Sequence, residues 1–290
     1  MNRRSFLKKI LVAAGAGLVL KPNLNDLKIN TAFGAIKVPK IPWGYVELDP
    51  DEAFKRGYLG YLVGECCGGA FWAIMSLLKE KVGYPYTLLP LPTYEEMLEA
   101  RKKGIHLEMP MKYGNGGIVG YGTICGALNG AASAIYWAVG SSHKYHDPAK
   151  QIIRRLFRWY EETAFPTPLS NEYAQKGLFP VKGKTDKVLP SVKTNSVLCH
   201  VTVSKWCYET GYASGSKERA ERCARITADT ARQAVILLNA YFKGELEKYP
   251  FKLSKLTAQC RSCHYKGKNY SRGEFARGFI QCETCHVNLK

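Results

Sequence analysis

Two copies of one five-residue pattern sit in the last 31 residues of this chain, and they limit what that tail can be. They read Cys260-Arg261-Ser262-Cys263-His264 and, with 17 residues between, Cys282-Glu283-Thr284-Cys285-His286. The tail has almost no core-forming residues, so it needs a metal or cofactor to become ordered. Covalent haem attachment calls for this order of groups. Two thiols add across two vinyl groups, and the next residue places its imidazole under the iron. The same four cysteines also satisfy a zinc ribbon, C-x2-C-x18-C-x2-C. Spacing alone does not separate the two. A zinc ribbon has no need of His264 and His286 after both second cysteines. These observations predict a dihaem c tail over 251–290.

The other end also carries a signal. Met1-Asn2-Arg3-Arg4-Ser5-Phe6-Leu7-Lys8-Lys9 is followed by an apolar run from Ile10 to Leu20. Eleven residues are too few to span a bilayer, which takes about 20. Paired arginines before Phe, Leu and Lys resemble a twin-arginine export signal, although Asn2 stands where Ser or Thr is usual. Ala32-Phe33-Gly34 suits cleavage, so 1–34 reads as a signal peptide and 35–250 as the body. The expected location is the periplasm, where c-type haem is attached. The formal net charge is +18, of which residues 1–34 carry +5. Export argues against nucleic acid as the partner of this basic chain, and haem propionates offset part of the charge. What remains fits acidic or multihaem redox partners.

The body reads as mainly helical. Helical patterning covers Asp51–Lys81, with Cys66-Cys67 inside it. A short helix opens at Thr93 with Glu96 as its capping partner and ends near Gly104. A glycine-rich loop, Tyr113–Gly117, leads into Ile118–Val139, which is very apolar but studded with Gly and Ala. Small residues at that spacing, with Cys125 among them, predict a buried central helix rather than a membrane span. No stable span is therefore expected once the signal is removed. Asp147-Pro148 starts a helix that runs to about Thr163. Residues 165–194 read as loop, Asn195–Tyr208 and Ser216–Lys248 as helices, and 250–259 as linker. No alternation argues for a sheet.

The sixth position of each haem iron needs a further ligand. His143 and His146, three apart at the end of the apolar segment, are the first candidates. His106 and His200 follow, with Met109 and Met111 as the methionine alternatives. Six cysteines remain in the body, open to disulfides, buried thiols or a metal site.

Their surroundings carry a resemblance: Gly64-Glu65-Cys66-Cys67-Gly68-Gly69, Cys125-Gly126-Ala127-Leu128-Asn129-Gly130, Leu198-Cys199-His200, Lys205-Trp206-Cys207 and Arg222-Cys223-Ala224. With the tail motifs, these resemble the split-Soret cytochromes c across about 50–290. The body alone resembles the wider redox-active family named for its C…GCAxxG…C…C pattern. The resemblance implies a helical homodimer with two bis-histidine haems per subunit and an iron–sulfur cluster in the body. Carried over by position, Cys67, Cys125, Cys199 and Cys223 are the implied cluster ligands, with Cys66 and Cys207 in reserve. The expected function is electron transfer. A haem oxidoreductase acting on a small molecule is the alternative, distinguished by an open haem position.

Overall fold

The computed structural model describes residues 38–141 and 147–286. Among the described residues there are eight α-helices: α1 (Pro50–Val82), α2 (Tyr94–Lys103), α3 (Gly126–Val139), α4 (Pro148–Glu162), α5 (Pro168–Gln175), α6 (Cys199–Thr210), α7 (Lys217–Phe242) and α8 (Lys255–His264). Strands β1 (Ala164–Phe165) and β2 (Val192–Lys193) form one short antiparallel pair, Ala164 opposite Lys193. Pro39–Lys290 is one compact unit, so body and tail belong together.

Helix α1 starts where the sequence says it should, with Asp49 capping and Pro50 in the first turn. It is not straight. Glu65 has φ 61° and ψ −174°, a region open essentially to glycine alone. Holding a glutamate there costs on the order of 1–3 kcal/mol. The chain turns back at this elbow, and the two arms lie against each other. Arg56 on the first arm donates to Ser76 Oγ at 2.9 Å and grips Glu80 with two 2.7 Å bonds. In a straight helix residues 56 and 80 would stand roughly 36 Å apart. Gly60 and Gly69 meet at the crossing, where a Cβ on either would run into the other's backbone. The helix is long and apolar enough to cross a membrane by composition, but its apolar window is mostly buried within the fold.

Both arms of α1 pack on α7, and α3 packs on α1; α4 closes the bundle against α3 and α7. Trp72, Phe71, Leu128, Ile135, Leu156 and Leu238 are buried in the shared core. The Thr93–Glu96 capping box and the Asp147 cap are formed.

Three expectations need correction. The apolar segment 118–139 is helical only from Gly126. Its first part spends its backbone groups on another segment: Cys125 N–H donates to Val197 O at 2.8 Å, and Thr123 and Gly122 carbonyls accept from Cys199 and His200. Inside the expected loop 165–194, Thr167 caps α5 with Pro168 at its start. At the C-terminal side, α7 stops at Phe242 with Gly244 at φ 70°, and part of the expected linker belongs to α8, capped by Ser254.

Asp229 on α7 anchors α5. Its carboxylate accepts from Thr167 Oγ1 at 2.7 Å and Ser170 Oγ at 3.0 Å. Burial pushes its pKa up to about 7 against the opposing pull of those hydrogen bonds and of Arg232. The folded state thus holds a proton that the unfolded chain, near the ordinary 3.8, releases earlier. Stability from this group is full below that lower value and falls as pH rises towards 7. Urea midpoints should drop between pH 5 and pH 7.5, and Asp229→Asn should flatten that decline. An unchanged slope in the variant would contradict this.

Candidate metal centre

Four of the body cysteines, Cys66, Cys125, Cys199 and Cys223, line a single cavity of about 270 Å³ together with Tyr160 and Arg222. Each thiol arrives from a different element. Cys66 follows the elbow residue Glu65, and Cys125 is the residue before α3. The first residue of α6 is Cys199, and Cys223 sits in the second turn of α7. A short bridge between Ile124 and Leu198 zips the Cys125 and Cys199 segments together. Close approach demands glycine at two points. A Cβ on Gly126 would strike the Cys66 thiol, and one on Gly117 would come within 2.8 Å of Cys199 Cβ.

All ten cysteines are free of disulfides. Burial pushes the Cys66 and Cys125 thiols up, Cys66 strongly, and Cys199 up to about 12; neighbouring thiols add to each. Without a metal these groups stay protonated. A bound cation would let them ionise, so binding releases protons. The N–H groups of Ala127 and Leu128 at the start of α3 face the Cys125 sulfur and favour its thiolate. Among the described residues no three Cys, His, Asp or Glu side chains converge closely enough for a single ion. The body thiols ring a volume instead, which suits a polynuclear centre.

Cys67 and Cys207 are not in the ring. The Cys67 sulfur is turned against Gly114, where a Cβ would strike it, and burial pushes its thiol up to about 12. Cys207 lies further along α6, towards Arg222 and Arg219. The structure thus gathers Cys125, Cys199 and Cys223 as a set and joins Cys66 to them rather than Cys67. Sequence reading did not single out Tyr160 or Arg222. Tyr160 is fully buried, with its hydroxyl beside Cys125 and Thr202.

The tail docks on α4, whose Tyr160 lines the cavity. Arg158 and Glu161 are buried and paired at 2.8 Å. Arg158 Nη2 donates to Phe279 O at 2.8 Å, and Glu161 Oε1 accepts from Gln281 N–H at 3.3 Å. Burial pushes Glu161 up to about 7 despite the arginine. Within the tail, buried Thr257 on α8 accepts from Cys282 N–H at 2.9 Å and donates to Glu283 at 2.7 Å, tying the two motifs together. Cys260 and Cys263 share a face of α8 three residues apart. His264 is exposed, with Nδ1 3.3 Å from Gly273 O, which leaves Nε2 outward. Cys285 and His286 are exposed as well.

His143 and His146 lie outside the described residues. His106 and His200 are exposed; His106 Nδ1 is 2.8 Å from Val63 O, so its Nε2 also faces outward. Met109 is no free ligand, because its thioether fills the space over Gly64 and Gly68 at the elbow.

Comparison with known proteins places these features in context. The family described as "Putative redox-active protein (C_GCAxxG_C_C)" matches residues 92–237. Split-Soret cytochrome c of Desulfovibrio desulfuricans is 38% identical over 249 residues, covering 84% of this chain and 77% of the relative. A solved structure described as a novel iron centre in the split-Soret cytochrome c from D. desulfuricans aligns with a TM-score of 0.65 and 35% identity, over 84% of this chain and 90% of that one.

Arg158→Met would remove the charge that opposes the burial of Glu161, raising its pKa further, and would delete the donor to Phe279 O. The tail should loosen, and trypsin should cut at Lys252 and Lys255 faster than in the unaltered protein. Equal cleavage rates would show that the pair does not hold the tail.

Proposed function

Since the chain belongs to the split-Soret cytochrome c family, we propose that it is a periplasmic electron-transfer protein with two covalent haems and one iron–sulfur centre. The observation that carries this reading is the ring of four cysteines around one cavity, walled by the same helix that holds the twin-motif tail. The donor set fits: four thiols suit an iron–sulfur centre, and each tail motif offers two thiols and an imidazole.

When bound, these groups supply reversible one-electron chemistry. The residues hold and shield them. Cys66, Cys125, Cys199 and Cys223 are the ligands favoured for the centre, with Cys66 taking the place expected of Cys67. Cys260 and Cys263, then Cys282 and Cys285, are the haem attachment points, with His264 and His286 as proximal ligands. The Gly273 carbonyl orients the His264 ring through Nδ1, the arrangement that presents Nε2 to iron. His143 and His146 remain the first choice for the distal side, and His106, with Nδ1 held by Val63 O, is the next. Bis-histidine ligation suits a carrier, since neither iron keeps an open position.

The tail exposes Tyr270 and Phe275, and a haem face needs more cover than so short a segment provides. A second subunit supplies it in this reading, making the protein a homodimer. The basic surface favours acidic or multihaem redox partners.

The purified protein should gain two haem masses, contain iron beyond those two, and release acid-labile sulfide. Cys66→Ser should lose the extra iron, whereas Cys67→Ser should keep it. Two irons per chain and no sulfide would remove the cluster; extra iron that depends on Cys67 and not Cys66 would reverse the ligand choice. Ready carbon monoxide binding at both haems would favour the oxidoreductase alternative.

A further inference from the structure

We propose that Arg222 is the buried counter-charge of the iron–sulfur centre and raises its reduction potential. This rests on the reading of the cysteine cavity as an iron–sulfur site.

Arg222 is fully buried and lines the cavity. Only Nη2 has a conventional partner, Thr202 Oγ1 at 2.8 Å, and the guanidinium lies 5.5 Å from the Trp206 ring centroid. Nε and Nη1 have no hydrogen bond. Arg225, one turn further along α7 and equally buried, is the internal comparison. It pairs with Glu221 at 2.9 Å and donates to Asn171 Oδ1 and to the Lys187 and Thr185 carbonyls. Every guanidinium nitrogen of Arg225 thus has a partner. At Arg222 the fold leaves two donors open beside the thiols. The single carboxylate in the lining, Glu65, has a buried Oε2 without a partner and does not pair with it. An unpaired buried cation is costly, and an anionic occupant of the cavity removes the cost.

Four thiolates and the inorganic sulfides together outweigh the iron charge, so the centre is anionic in both oxidation states and more so when reduced. In the step concerned, one electron passes from a reduced tail haem to the centre; the haem is oxidised, and no bond or proton changes place. A fixed positive charge beside the ligands favours the reduced form. Arg219, one turn before Arg222 and beside Cys223, adds to the same field at a less buried position. Arg222 is accordingly a positioning and charge-compensating residue.

The test is a redox titration of the cofactor-loaded protein followed by electron paramagnetic resonance, comparing wild type, Arg222→Met and Arg222→Lys. Arg222→Met should lower the reduced-to-oxidised ratio of the centre at least tenfold at a fixed potential, equal to 59 mV for one electron. The haem titrations should not move, and Arg222→Lys should titrate close to wild type. An Arg222→Met centre with the wild-type potential overturns the proposal. If Arg222→Met retains no iron in the cavity, Arg222→Lys decides: iron retained at the wild-type potential supports the charge role, and loss of the centre in both variants overturns it. Absence of non-haem iron in the wild type would be a failure of the iron–sulfur reading itself, and the proposal would fall with it.

Discussion

The close crossing of the two arms of α1 is the contact on which the rest of the molecule depends. Gly60 and Gly69 allow backbone to meet backbone, and the Arg56–Glu80 pair clamps the far ends. That fold-back forces the turn at Glu65, a conformation a glutamate adopts only when its surroundings impose it. The glycines on either side of the elbow then accept Met109, and the bend turns two adjacent cysteines in opposite senses. Cys66 faces the cavity; Cys67 faces Gly114. Adjacent residues of a helix point about 100° apart, so the arm that follows the elbow gives one thiol to the cavity and turns the other away.

The remaining walls follow from the same bundle. Helix α3 can begin beside the elbow because Gly126 has no side chain to strike Cys66. Helix α7 contributes Cys223 and Arg222 along the face it presents to the cavity. Helix α4 has two neighbours: Tyr160 turns inward to the cysteines, while Arg158 and Glu161 hold the tail through Phe279 and Gln281. Gln281 is bonded in sequence to Cys282, the first cysteine of the second motif. One helix thus joins the two places where redox groups are proposed to sit.

How much of this was legible in the sequence depends on how local each feature is. The tail motifs are visible in the sequence itself, since the pattern is five consecutive residues and needs no knowledge of the fold. Helix starts with strong caps, Asp49-Pro50, Thr93 with Glu96, and Asp147-Pro148, were equally readable. Residues 118–125 misled because apolar composition signals burial without saying whether the backbone bonds to itself or to another segment; here it bonds to 197–200. The Thr167-Pro168 start of α5 was visible but lay among residues rich in Pro, Gly and Lys. Position alone could not separate Cys66, which lines the cavity, from Cys67, which faces Gly114, because that depends on how the second arm of α1 packs against distant segments. Nor could it find Arg222, whose importance lies in what it fails to pair with.

In the proposed centre, the elbow delivers Cys66 to a metal site shared with Cys125, Cys199 and Cys223. An anomalous difference map recorded at the iron edge from crystals of the cofactor-loaded protein tests it most directly. Iron density is expected inside the cysteine cavity, bonded to the Cys66 sulfur, with the Cys67 sulfur turned towards Gly114. Iron confined to the tail haems, or a cavity centre bonded through Cys67, would contradict it.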